Sequence, residues 1–457
     1  MINEREIILD ILMEMDSGKP YRHSLVRDVL NQYDYLDTQQ KSMIKRVVDG
    51  TTERRITIDY ILNSISSVSV HKMKPLIRSL LRMSCYQILY MDGIPDAAAI
   101  NEAVKIAEKR KFQTLKGFVN GVLRNVSRNK EVIHFPEKNA MDGGAEYLSV
   151  MYSMPDLLCR MWLRTYGYEQ TEQILKAFLE IRPVVLRMDE RYSEEEIRAL
   201  VEKIRQEGNV QLEIRQSSLL PYAYELTHTD NLQYLPGFEE GMWMVQDVSS
   251  MLVTQAAGIR KGDRVIDVCS APGGKALHAA TKLAGTGSVL SRDVSENKCA
   301  LIRENVERMH MPGVTVEVHD ATLPDPALTD TADVLYCDLP CSGLGIIGRK
   351  CDIKYAVSSE SLNSVTELQK KILQSVWNYV KPGGIMMYST CTIHKAENEK
   401  MVQWICANLP FETVSMEDTL PEVLAGQDTV KNGYLQLLPG QFGTDGFFLS
   451  KLRRKEE

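Results

Sequence analysis

No apolar run in this 457-residue chain approaches the roughly 20 residues that a helical membrane span requires. The opening residues Met1-Ile2-Asn3-Glu4-Arg5-Glu6 are charged and lead straight into a helical pattern, so no signal peptide is expected. The nine cysteines form no framework of spacings and are odd in number, which suits a reducing compartment better than disulfide pairing. Internal repeats and low-complexity segments are also missing. Two nucleotide-binding signatures are absent as well. Gly-x-x-x-x-Gly-Lys-Ser/Thr fails because Ala276 follows Lys275, and the full Gly-x-Gly-x-x-Gly is not found. These gaps exclude a helical membrane protein, a disulfide scaffold and a P-loop nucleotidase. They leave a cytoplasmic, monomeric, multidomain globular protein as the expectation.

Charge is unevenly spread. Residues 1–130 hold 21 basic and 15 acidic side chains, whereas the remainder holds 33 and 46. Such asymmetry points to a polyanionic partner for the basic part, with a solvated helical surface as the plain alternative. Apolar stripes at helical spacing, such as Ile7-Ile8-x-x-Ile11-Leu12-x-x-Met15, run through residues 1–138 with no β-alternation, and predict an all-α domain. Asp37 and Gln40 read as a capping box. Basic residues gather at Lys105, Lys109, Arg110, Lys111, Lys116, Arg124 and Arg128. A linker rich in Asn139, Asp142, Gly143 and Gly144 follows. Residues 145–240 read as a small α+β module, with strands at Val184–Met188 and Val210–Ile214 and a helix capped by Ser193.

From 241 to 457 the pattern alternates strand and helix, which implies a mostly parallel sheet with helices on both faces. Strands are expected at Arg264–Val268, Ser288–Ser291, Val314–Val318, Val334–Cys337 and Ile385–Tyr388, with an antiparallel edge near Tyr434–Leu438 and Phe447–Leu452. The turn Cys269-Ser270-Ala271-Pro272-Gly273-Gly274-Lys275 lies between the first of these strands and a helix, where main chain can approach a ligand closely. Asp293 stands 26 positions beyond Asp267, near the spacing at which an acid bonds ribose hydroxyls, and Asp320 ends the next strand. Any one of these acids could be a loop cap. Together at successive strand ends they favour an adenosine-containing cofactor.

Asp338-Leu339-Pro340-Cys341 ends the fourth strand and Ser389-Thr390-Cys391-Thr392 the fifth, with Glu397-Asn398-Glu399 following. Enzymes that methylate amines commonly carry Pro-Pro-aromatic at the first of these places, where this chain has Pro-Cys. That argues for attack at a ring carbon. Cytosine C5 is too weak a nucleophile to take a methyl group directly, and adding a thiolate at C6 makes it enamine-like. Cys85, Cys159, Cys299 and Cys406 read as inert core residues. A metal held by Cys337, Cys341 and Cys351 is disfavoured, since Cys-x3-Cys-x9-Cys lacks a second tight pair.

These motifs resemble the RNA cytosine-5 methyltransferases of the Sun/Fmu (Nol1/Nop2/Sun) family, which use S-adenosylmethionine. The N-terminal part is similar to the helical RNA-binding domain of the antitermination factor NusB, notably in Asn101-Glu102-Ala103-Val104 and Phe118-Val119-Asn120-Gly121-Val122-Leu123-Arg124. The resemblance implies a Rossmann-like catalytic domain acting on small-subunit ribosomal RNA, naked or partly assembled. It implies Cys391 as the nucleophile at C6 and Cys341 as the thiol that helps release product; the residues alone leave those two roles interchangeable. It further assigns the cofactor to Cys269, Ser270, Ala271, Pro272, Gly273, Gly274, Lys275, Asp293, Asp320 and Asp338, with Asp338 and Lys275 also close to the chemistry. Leu339, Ser270 and Cys351 depart from the family pattern without removing a reacting group. A relic fold serving as an RNA-binding assembly factor is the alternative, and an amino-directed methyltransferase a third.

Overall fold

The computed structural model describes residues 3–17, 25–33, 36–138, 142–208, 211–229 and 231–456, and divides into two compact units. Asn139 and Val210 of the expected linker and strand lie outside the described residues.

The first unit spans Met1–Leu179 and Lys350–Ala356. Its helices Glu4–Met15, Thr38–Glu53, Arg55–Ile65, Pro75–Tyr90, Asp96–Lys109 and Lys116–Asn129 bury the apolar stripes read from the sequence. Asp37 and Gln40 do form a capping box. The helix Asp156–Leu179 breaks at Gly167, where φ is +76°. Arg82 anchors this unit: its guanidinium grips both oxygens of Asp59 at 2.7 Å and Asp16 at 2.6 Å. The segment Lys350–Ala356 packs here too. Lys354 Nζ donates to the Glu53 carbonyl (2.7 Å), Tyr355 to that of Thr52 (2.8 Å), and Arg55 lies 3.6 Å over the Tyr355 ring.

The second unit, Glu180–Arg349 and Val357–Glu457, carries two sheets. The smaller is antiparallel in the order β2-β3-β1-β4, from β1 (Val184–Met188), β2 (Glu213–Gln216), β3 (Ala223–Thr227) and β4 (Trp243–Val245). The strand expected over Val210–Ile214 begins at Glu213 instead. Leu212 and Ile214 alternate into the core as read, but pairing starts only where β3 runs alongside. The stretch 145–240 is thus shared out: its two helices before Glu180 belong to the first unit and its strands to the second.

The larger sheet runs β10-β12-β9-β8-β5-β6-β7, with β5 (Arg264–Asp267), β6 (Ser288–Asp293), β7 (Val314–Val318), β8 (Ala332–Asp338), β9 (Val380–Thr390), β10 (Phe411–Thr413), β11 (Tyr434–Leu437) and β12 (Phe447–Arg454). Strands β5 to β9 are parallel, as the alternation predicts. β12 is antiparallel but is no edge: it inserts between β9 and β10, with β11 paired beside it. Its continuous burial from Phe447 to Leu452 is the reason. Strand order reverses between β5 and β8, so a crevice opens at their carboxyl ends.

Candidate active site

Every chemistry-bearing motif falls at that end of the sheet. Asp267, Asp293 and Asp338 are the last residues of β5, β6 and β8, and Cys391 follows β9 directly. The turn after β5 needs its glycine: Gly273 sits at φ +101°, and a Cβ there would lie 3.2 Å from the Ile302 side chain. The helix Gly274–Leu283 then points its first N–H groups toward the crevice. Asp293 is buried and accepts the Ala271 N–H at 3.0 Å and the Val294 N–H at 2.8 Å, which ties it to the turn. Ser291 donates to Ser270 at 2.6 Å or accepts from it, holding the turn's other side. Cys269 is half-buried and its thiol is pushed upward by burial, so it stays protonated. Asp320 stands apart, two residues past β7. Its carboxylate accepts the Thr322 N–H at 2.9 Å and is held below the usual range by that bond.

Lys275 is buried and its ammonium meets Asp338 Oδ2 at 2.6 Å. The other Asp338 oxygen accepts from Ser389 Oγ at 2.8 Å. Asp267, beneath them and 1% exposed, has its carboxyl pushed up to about 7. Burial is the main cause and the Asp338 charge adds to it, against the pull of Lys275. A buried carboxyl beside a lysine–carboxylate pair can hold or yield a proton near neutrality.

The two thiols meet. Cys341 Sγ and Cys391 Sγ are 3.1 Å apart, although the residues are separated by 50 positions. The Cys341 thiol is held well above the ordinary range, first by its hydrogen bond to Cys391 and then by burial. Cysteines elsewhere differ in kind: Cys85 and Cys159 are fully buried, and burial pushes Cys159 up to about 12. Sequence reasoning misses Gln369 and gives no role to Ser389, Glu397 or Asn398, although it names all three beside Cys391. Those three lie in or next to a motif and are legible as polar residues there. Gln369 lies inside a helix and carries no signal.

Comparisons with known proteins identify the family and the fold. Residues 255–453 match the model of 16S rRNA methyltransferase RsmB/F, and residues 2–128 that of the NusB family. The probable ribosomal RNA small subunit methyltransferase B of Bacillus subtilis is 34% identical over 99% of this chain and 98% of its own length. The ribosomal RNA small subunit methyltransferase B of Cronobacter sakazakii is 29% identical over 91% of each chain. Among solved structures, PH0851 superposes with a TM-score of 0.79 at 22% identity over 99% of both chains. NSun6 of Pyrococcus horikoshii, solved with SFG, gives 0.56 at 19% identity over 65% of this chain and 97% of its own. The fold is theirs, and S-adenosylmethionine is the cofactor it serves. With an end-to-end relative at 34% identity, this chain belongs to the ribosomal RNA small subunit methyltransferase B (RsmB/F) family.

Proposed function

We propose that this chain transfers a methyl group from S-adenosylmethionine to C5 of a cytosine in small-subunit ribosomal RNA through a covalent cysteine–C6 adduct. The observation that carries the reading is the pair of thiols 3.1 Å apart beside the Lys275–Asp338 pair. The turn from Cys269 to Lys275, with Asp293, Asp320 and Asp338, would hold the cofactor, which supplies an electrophilic methyl group. The base must leave its stack to reach such a crevice. Asp338, with Lys275 beside it, would hydrogen-bond the cytosine.

Cys391 adds as thiolate to C6, and the electron pair moves to C5, which takes the methyl group. The C5 proton then leaves and the C6–sulfur bond breaks, restoring the ring. Cys341 fits the second half. Its proton is firmly held while Cys391 is free, as its raised range requires. Once the Cys391 sulfur is bound to carbon, its hydrogen bond with Cys341 is lost; Cys341 can then release its own proton to solvent and, as thiolate, accept the C5 proton.

The helical unit supplies phosphate contacts. Much of its basic cluster is already engaged: Lys105 with Glu102, Lys109 with Glu6, Arg110 with Asp10, and Lys116 with Glu108. Lys111, Arg124 and Arg128 are exposed and, among the described residues, meet no carboxylate, so they are the cations offered to RNA.

Labelled S-adenosylmethionine with unmodified small-subunit RNA tests the whole reading. The expected product after nuclease digestion is 5-methylcytidine; no label favours an RNA-binding assembly factor, and label on an exocyclic amine an amino-directed enzyme. Cys391→Ala is expected to abolish transfer while keeping cofactor binding, and full turnover would overturn its role. Cys341→Ala is expected to trap an RNA adduct stable on denaturing gels.

A further inference from the structure

Two consecutive residues, Glu397 and Asn398, are wholly buried in the loop between Cys391 and the helix Glu399–Asn408. Burying a carboxylate and an amide side by side is costly unless each polar atom is satisfied. Here each residue bonds the backbone or a hydroxyl that flanks one of the two thiols, and nearby side chains satisfy the rest.

Glu397 serves Cys341. Its Oε2 accepts the N–H of Ser342 at 2.8 Å and the Gln369 amide at 3.2 Å, while Oε1 meets His394 Nδ1 at 3.0 Å. The same Gln369 amide donates to the Pro340 carbonyl at 2.9 Å. Both peptides beside Cys341 are therefore anchored. Asn398 serves Cys391. Its Oδ1 accepts from the Thr390 hydroxyl at 2.7 Å, and its Nδ2 donates to the Thr392 carbonyl at 2.9 Å and to Gln436 at 2.6 Å. Residues 390 and 392 bracket the second thiol. A hydroxyl pair, Ser342 and Thr392 at 2.8 Å, closes the ring between the two loops.

We propose that Glu397 and Asn398 are positioning residues that set the separation of the two thiols, Glu397 holding the Cys341 loop and Asn398 the Cys391 loop. Their roles in catalysis rest on the covalent mechanism above; their effect on the thiol distance does not. Because the residues are adjacent in one rigid turn, the two sulfurs are held to a common reference, as a step handed from one to the other requires.

The variants Glu397→Gln and Asn398→Asp keep shape but invert the hydrogen-bonding sense. In the first, one carbonyl oxygen can serve Ser342 and Gln369 only without the carboxylate's charge, and the amide N–H keeps His394 only if Nδ1 turns acceptor. In the second, a carboxylate faces the Thr392 carbonyl. The first readout is independent of RNA: full-length protein with diamide, which takes two hydrogens from a thiol pair and forms the disulfide. Alkylation and peptide mass analysis would report the Cys341–Cys391 bond. It should form rapidly in the wild type and much more slowly in both variants, up to about 100-fold for a displacement near 1 Å. The second readout is single-turnover methylation with adduct gels. Asn398→Asp should slow adduct formation, whereas Glu397→Gln should form adduct and release it slowly. If either variant fails to melt as a folded protein, Thr390→Val removes only the hydroxyl beside Cys391 and should slow adduct formation alone.

Unchanged disulfide rates, or the same proportional loss of both steps in both variants, would overturn the proposal. Slowed disulfide formation in the two variants, together with a wild type that methylates no cytosine, would sink the proposed function and leave the positioning intact.

Discussion

Arg82 in the helical unit and Lys275 in the sheet unit are both buried cations gripped by carboxylates, yet they leave different things over. Arg82 takes Asp59 in a two-pronged bond and Asp16 on its remaining side, closing the group on itself. Lys275 takes only one oxygen of Asp338, a residue at a strand end whose side chain is 29% exposed. Beneath it Asp267 keeps a proton to near neutrality. Burial of charge is therefore no mark of a site. A buried pair that is open on one side, and next to a group with proton capacity, is such a mark.

Swapping the consequences tests this contrast most strongly. Lys275→Met should cut methyl transfer by about 10²–10³-fold, the scale of losing one aligned charged group in a reaction centre. Its melting transition should move little, and a collapse of the fold instead would place Lys275 with Arg82. Arg82→Ala is expected to do the opposite, costing about 1–3 kcal/mol in denaturant titrations because half-buried Asp59 loses its two-pronged partner and Asp16 keeps only the longer pairings with Arg55 and Arg78.

A smaller effect should appear with pH, and in opposite senses. Asp267 has a folded value near 7 against 3.8 for the free group, so its contribution is complete below 3.8 and is lost as pH rises through 7. Asp267→Asn should therefore flatten the fall in stability of the sheet unit between those values. Lys354, in the helical unit, is lowered by burial to about 8 from 10.5. Its contribution is present above 10.5 and lost as pH falls through 8, so Lys354→Met should remove that rise. Urea midpoints across pH check both, and matching slopes in the variants and wild type would break the assignment.

The weakest expected change concerns the surface. Replacing Lys111, Arg124 and Arg128 together by Ala should lower RNA affinity and make its salt dependence shallower, by about one unit of slope for each phosphate left without its cation. Replacing Lys105 and Lys116, which already face Glu102 and Glu108, should do less.

Much of the site is legible because it is built from short-range signals. The glycine at φ +101°, the acids ending β5, β6 and β8, and the cysteines following β8 and β9 all sit within a few residues of a strand end. The antiparallel strand β12 reads as an edge and is internal, since pairing partners are chosen by the whole sheet and not by alternation within one segment. Gln369 is invisible: one polar residue on a helix looks like any solvated position until its neighbours are known.

The amino-acid sequence by itself determined the kinds of group available and the strand ends at which they emerge, because turn and strand chemistry is written over spans of a few residues. Tertiary structure alone decided that Lys275 would meet Asp338 across 63 positions, and that Cys341 and Cys391 would meet at 3.1 Å. Those distances follow from the register of β8 against β5 and β9 and from the buried Glu397–Asn398 turn. Sequence spacing encodes neither.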